Sequence, residues 1–134
     1  MFKSPFKLMV ALTVVVATMH WLALTNNYYW AIWWYDIMMH FLGGCLVALI
    51  LLWLDRWQGT TLITTFVHAF LWIMVVGLAW EIYELSFGLT FVVANGYLSD
   101  TILDLIMNTI GATTVYFIFQ RKGKALFPSL KALP

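Results

Sequence analysis

Four apolar segments, each long enough to cross a bilayer, take up most of this chain of 134 residues. A spanning helix needs about 20 apolar residues, because the hydrocarbon core is roughly 30 Å thick and an α-helix rises about 1.5 Å per residue. We place the four helices at about residues 6–24, 33–54, 60–87 and 99–119. The sequence therefore predicts an all-α polytopic membrane protein, a four-helix transmembrane bundle that forms one domain over residues 1–134.

The composition excludes an ordinary soluble domain and a nucleic-acid-binding protein. Hydrophobic residues make up 63% of the chain and charged residues only 10%, so the lipid bilayer is the expected solvent. The net charge is +1, and no segment carries a basic stripe of the kind that binds nucleic acid.

The basic residues all fall on one side of the predicted membrane. They precede the first helix, lie between the second and third, or follow the fourth: Lys3, Lys7, Arg56, Arg121, Lys122, Lys124 and Lys131. Positive charge in short loops stays in the cytoplasm. We therefore expect a multi-pass protein of the bacterial inner membrane with both termini in the cytoplasm.

The acidic residues concentrate at the opposite, non-cytoplasmic ends of the helices. Five of the six lie there: Asp36, Glu81, Glu84, Asp100 and Asp104. With His40 and Asn108 they recur at spacings of three or four, so the polar groups of each helix share one face. Glycines continue these three stripes at positions 43, 44, 77 and 111, where small residues let helices approach closely in lipid. The stripes are therefore expected to face one another.

Two further histidines differ in their predicted depth. His20 lies near the outer end of the first helix, at the level of the acidic residues. It is a candidate for a fourth helix's contribution to the cluster. His68 precedes Glu81 by thirteen residues, which places it about 20 Å deeper toward the cytoplasm. We expect His68 to lie outside the cluster.

Ionised carboxylates inside a membrane need a counter-charge, and no lysine or arginine is predicted on their side. Oxygen and imidazole ligands on facing helices are how helical bundles bind metals, so a divalent ion (Zn, Mn, Fe or Mg) is the expected cofactor. The candidate ligands are Asp36, His40, Glu81, Asp104 and Asn108. The alternative is a hydrogen-bonded packing network, with the terminal acids in the headgroup region.

Three motifs resemble those of a known family. They are Asp36-x3-His40-x3-Gly44, Trp80-Glu81-x2-Glu84, and Asp100-Thr101-x2-Asp104-Leu105-x2-Asn108-x2-Gly111. The pattern resembles the YjdF-like small bacterial membrane proteins and, more distantly, the VanZ-like proteins, in which the second motif more usually looks like Glu-x2-Gln. The resemblance implies the architecture and the site residues and leaves the reaction open. The association of VanZ-like proteins with glycopeptide resistance implies envelope lipids or cell-wall precursors as substrates.

Three functions fit these features. The first is an intramembrane metal enzyme that acts on a lipid-type substrate from the outer leaflet. In that enzyme Glu84 or Asp100 would act as general base on a water molecule bound to the metal, and the loop at residues 88–98 would form a lid. The second is a proton or cation transporter, for which a homo-oligomer would have to supply a path across the membrane. The third is an accessory subunit bound to a membrane protein partner in a larger complex.

Overall fold

The computed structural model describes residues 5–58, 62–89 and 96–126, and every regular element in these ranges is a helix. The helices are α1 (Pro5–Asn26), α2 (Tyr28–Ala31), α3 (Tyr35–Gln58), α4 (Leu62–Phe87) and α5 (Tyr97–Leu126). Four of them contain segments long and apolar enough to cross a membrane: Phe6–Asn26, Tyr35–Leu54, Ala69–Phe87 and Tyr97–Phe119. The predicted all-α class with four spanning helices is confirmed.

The connection between the first two spans contains a turn of helix, α2, that the hydropathy pattern did not predict. Asn27 separates α1 from α2 and has a φ of 58°, a left-handed conformation that asparagine tolerates better than most residues. Because the chain reverses here, α2 places its aromatic residues against the C-terminal end of α1 and the N-terminal end of α3. Tyr29 thereby comes within hydrogen-bonding distance of His20 on α1.

Helix α4 ends in a glycine cap directly after the acidic motif. Gly88 has a φ of 68°, the Leu89 amide donates to the Glu84 carbonyl at 2.9 Å, and the Gly88 amide donates to the Leu85 carbonyl at 3.4 Å. These two bonds form a Schellman motif, which satisfies the last carbonyls of the helix. The cap fixes the backbone of Glu84 at the end of α4.

Helix α3 is central, and α5 approaches it most closely. A Cβ atom added at Gly44 would overlap the backbone carbonyl of Asn108, and one added at Gly111 would overlap the backbone carbonyl of Phe41. The Cys45 thiol donates to the Gly111 carbonyl at 3.2 Å. Glycines on both helices therefore permit backbone contact between α3 and α5.

An apolar core lies around the middle of the described helices α3, α4 and α5. Its buried residues come from α3, α4 and α5: Cys45, Ala48, Leu49, Ile73, Ala112 and Val115. Large apolar side chains elsewhere are exposed, as expected where helices face lipid, including Val14, Val75, Ile82 and Ile106. This core separates the polar cluster described below from the opposite ends of the helices.

Candidate metal centre

His40 lies at the centre of the polar cluster. His40 is 4% exposed and lies in the second turn of α3, one turn after Asp36. Four more polar residues of the cluster are also buried, with exposures of 5% for Glu81, 6% for Glu84, 2% for Asp104 and 8% for Asn108. The three helices that carry the polar stripes therefore do bring these side chains together in the interior.

Two carboxylates face the same nitrogen of His40. Its Nε2 atom lies 3.6 Å from Asp36 Oδ1 and 3.7 Å from Asp104 Oδ2. Both distances are too long for hydrogen bonds. They are close to the separation of about 3.3 Å between two ligands of a tetrahedral ion with bonds of about 2.0 Å. The spacing suits ligands around a small cation better than directly bonded partners.

Four buried atoms of the cluster have no hydrogen-bond partner among the described residues. They are Asp36 Oδ1, His40 Nε2, Glu81 Oε1 and Asp104 Oδ1. Leaving one buried polar atom unsatisfied costs about 1–3 kcal/mol, and more if the group is charged. A packing network would be expected to satisfy such atoms, so this arrangement favours a site with a ligand.

The carboxylates of α4 are each held at one oxygen by a side-chain donor. Thr101 Oγ1 donates to Glu81 Oε2 at 2.8 Å, and Trp80 Nε1 donates to Glu84 Oε1 at 2.8 Å. Each carboxylate keeps a second oxygen for another partner. Two sets of three residues each bring their potential ligand atoms within 4.8 Å of one another. The first set is Asp36, His40 and Asp104, and the second is His40, Glu81 and Glu84.

Asn108 contacts the other nitrogen of the His40 ring. Its Nδ2 lies 3.2 Å from Nδ1, an arrangement that leaves the imidazole proton on Nε2. A half-turn of the amide puts Oδ1 in the same place, where it accepts a hydrogen bond from Nδ1–H. The lone pair of Nε2 then faces the carboxylates, as metal binding requires. The structure thus places Asn108 behind His40, where it can orient the ring.

The structure places His20 outside the ligand sets. Its Nδ1 lies 2.6 Å from the Tyr29 hydroxyl and its Nε2 lies 3.1 Å from the Tyr83 hydroxyl, so both ring nitrogens have partners. Burial raises the pKa of Tyr29 well above its ordinary value, and the nearby charges of Asp36 and Glu84 raise it further. Tyr29 therefore keeps its proton at neutral pH. Through its contacts with Tyr29 and Tyr83, His20 connects α1 with α2 and α4.

Asp100 differs from the other four acids of the cluster in being exposed. It lies in the first turn of α5, near enough to Asp36 for the two charges to interact. The side chain of His68 and residues 90–95, which include most of the predicted lid, lie outside the described part of the protein.

A cavity of about 60 Å³ lies beside His40. It is lined by residues of all four long helices: Val16, Met39, His40, Gly43, Val76, Gly77, Trp80 and Asn108. The cavity connects the polar cluster with apolar side chains of α1 and α4. It is large enough to hold small groups next to the imidazole.

Trp80 and Thr101 stand in the motifs that carry the family resemblance, but no role in the site was predicted for either of them. Trp80 precedes Glu84 by four residues, so their shared helix face was visible in the sequence. The Thr101–Glu81 bond joins two helices, and no local spacing predicts it. The same holds for the Tyr83–His20 bond.

A family model described as "Predicted membrane protein (DUF2238)" matches residues 2–125. The chain belongs to the DUF2238 family. This family match does not support the more distant resemblance to VanZ-like proteins. No curated protein and no solved structure is significantly similar to it.

Proposed function

We propose that this DUF2238 protein binds a divalent metal ion within the membrane and uses it to hydrolyse a lipid-type substrate. Asp36, His40 and Asp104 hold the ion, and Asn108 orients His40 from behind. The observation that carries the proposal is that His40 Nε2 and Asp36 Oδ1, both buried and without a hydrogen-bond partner among the described residues, lie only 3.6 Å apart.

The chemistry follows from the donor set. A divalent ion held by carboxylates and imidazole lowers the pKa of a bound water molecule and so supplies a nucleophile at neutral pH. Of the two candidates we assign the general base to Asp100, because it is exposed and lies near the ligand Asp36. Glu84 is buried and already accepts a hydrogen bond from Trp80.

A lipid-type substrate is supported by the surroundings of the cluster. The site lies in spanning segments, and the cavity beside His40 is lined by apolar side chains such as Val16 and Val76. A small apolar group of an amphiphile fits there beside His40, while the rest of its apolar part stays in the lipid. This placement does not require the substrate to leave the membrane.

We also propose a membrane orientation for the protein and its assignment to the YjdF-like proteins. The distribution of basic residues supports a bacterial inner-membrane protein with cytoplasmic termini and a site near the non-cytoplasmic face. The three motifs support the YjdF-like grouping, which agrees with a DUF2238 match over nearly the whole chain.

The apolar core argues against transport through a single chain. Buried residues such as Leu49, Ile73 and Val115 form an apolar layer between the cluster and the opposite ends of the described helices. An ion would have to cross this apolar layer, which is costly. We therefore rank the metal enzyme above the transporter.

Metal analysis of protein purified without chelator tests the proposal. We expect bound divalent metal in the wild type and its loss in both His40→Ala and Asp104→Ala. His20→Ala is the matched control, since it removes a histidine of similar depth outside the ligand sets, and it should retain the metal. Folded His40 and Asp104 variants with wild-type metal content would contradict the proposal.

The lipid part of the proposal needs its own assay. The protein is reconstituted in vesicles of bacterial lipid extract, and lipid hydrolysis products are measured by mass spectrometry. We expect products with the wild type and none with Asp104→Ala. If the metal-loaded wild type yields none from any lipid of the extract, the site does not hydrolyse membrane lipids.

A further inference from the structure

The two sets of candidate ligands share only His40. Helices α3 and α5 supply Asp36 and Asp104 to the first set, whereas α4 supplies Glu81 and Glu84 to the second. His40 Nε2 is directed to the first set, at 3.6 and 3.7 Å from its two carboxylates. An ion bound there leaves the two glutamates of α4 without a cation of their own.

Charge balance makes that arrangement costly. The four carboxylates carry four negative charges when ionised, and three of them are at least 94% buried. The basic residues in the described helices lie at the other ends of the spans, as Lys7 does at the start of α1 and Arg56 near the end of α3. One divalent cation cancels two of the four charges, and two divalent cations cancel all of them. In a medium of low dielectric constant, full compensation is strongly favoured.

Asp104 belongs to the first set and lies beside a glutamate of the second. Its Oδ2 faces His40, and its carboxyl also approaches that of Glu81 on α4. Asp104 Oδ1 and Glu81 Oε1 are both buried and have no hydrogen-bond partner among the described residues. Two neighbouring carboxylates repel each other unless a cation or a proton lies between them. Carboxylates that serve two cations in this way occur in dinuclear sites of helical bundles.

We infer that the cluster is a dinuclear site that binds two divalent cations per chain. The first is held by Asp36, His40 and Asp104, and the second by Glu81 and Glu84, with Asp104 between the two ions. Thr101 and Trp80 each hold one oxygen of a glutamate and direct the other toward the second ion. This inference rests on the proposed metal site and adds the second ion and its ligands.

Metal stoichiometry of the full-length protein tests the inference. The protein is stripped with chelator in detergent micelles, reloaded with Mn²⁺ and freed of excess metal, and Mn per chain is measured by mass spectrometry. We expect two ions per chain in the wild type and one in Glu84→Gln. His20→Ala is the control, because it changes a polar side chain of similar depth outside both sets and outside the proposed catalytic residues, and it should retain two.

Low-temperature electron paramagnetic resonance provides an independent reading that needs no variant. Two neighbouring Mn²⁺ ions give the broadened spectrum of a coupled pair, whereas a single ion gives an isolated six-line spectrum. One ion per chain with an isolated spectrum would overturn the dinuclear inference and leave the single-metal proposal standing. No bound ion in the folded wild type would overturn both. Equal stoichiometry in Glu84→Gln and the wild type would overturn the assignment of the second ion to the α4 glutamates.

Discussion

Replacing Gly44 by alanine tests the close approach of α3 and α5, which holds His40 and Asp104 together. The added Cβ would lie 2.7 Å from the carbonyl carbon of Asn108 and 2.8 Å from its Cα, and it would overlap the carbonyl oxygen. Carbon atoms in ordinary contact are about 3.5–4.0 Å apart. Both partners are backbone atoms of helices, so no side-chain rotation relieves the overlap.

The helices must therefore separate by roughly 1 Å at this point. Inserting an extra carbon atom into a well-packed contact typically lowers the free energy of unfolding by about 1–3 kcal/mol. Gly44 and Asn108 lie one turn from His40 and Asp104, respectively. The gap of 3.7 Å between His40 Nε2 and Asp104 Oδ2 would widen as well. We expect lower stability together with weaker metal binding.

Gly43→Ala is a matched control at the adjacent residue. Its added Cβ would meet Asn108 Oδ1 at 3.6 Å, an ordinary van der Waals contact. Alanine is favoured over glycine inside a helix by up to about 1 kcal/mol, so this variant should be neutral or slightly more stable. The assay is unfolding of both variants in the same detergent, followed by metal titration of the folded protein. Equal stability and equal metal affinity in the two variants would show that α3 and α5 do not pack this closely.

Three further predictions follow from other contacts of the site. Asn108→Ala removes the side chain behind His40 Nδ1 at 3.2 Å, and metal affinity measured by competition with a chelator should fall about 10- to 100-fold; an unchanged affinity would remove Asn108 from the site. Tyr83→Phe removes the hydroxyl that lies 3.1 Å from His20 Nε2, so thermal unfolding should show a loss of about 1 kcal/mol, while a loss of bound metal would contradict the separation of the two networks. Metal affinity should decrease as the pH falls, because carboxylate and imidazole ligands bind metal in their deprotonated forms; an affinity independent of pH would argue against these ligands.

The sequence predicted the architecture because hydropathy and helical periodicity are local properties. The length of the apolar segments gave the four spans, and spacings of three and four gave the polar face of each helix. Asp36 and His40 illustrate this, since their separation of one helical turn already places them together. The glycine stripes likewise indicated the close approach of helices later found at Gly44 and Gly111.

Relations between helices could not be predicted in the same way. The role of His20 depends on Tyr83, which is 63 residues away in the sequence, and on Tyr29 in a turn of helix that has no hydropathy signal. Depth alone made His20 a candidate for the cluster, because depth does not specify which side of a helix faces which neighbour. The hydrogen bond between Thr101 and Glu81 could not be predicted for the same reason.

X-ray absorption spectroscopy at the edge of the bound metal tests the central claim most directly, because it identifies the ligand atoms. We predict a first shell of oxygen and nitrogen at about 2.0–2.2 Å with outer-shell scattering from one imidazole. A sulfur ligand at about 2.3 Å would instead indicate binding at Cys45 or a methionine. A spectrum without imidazole scattering in the wild type would contradict the placement of the metal at His40.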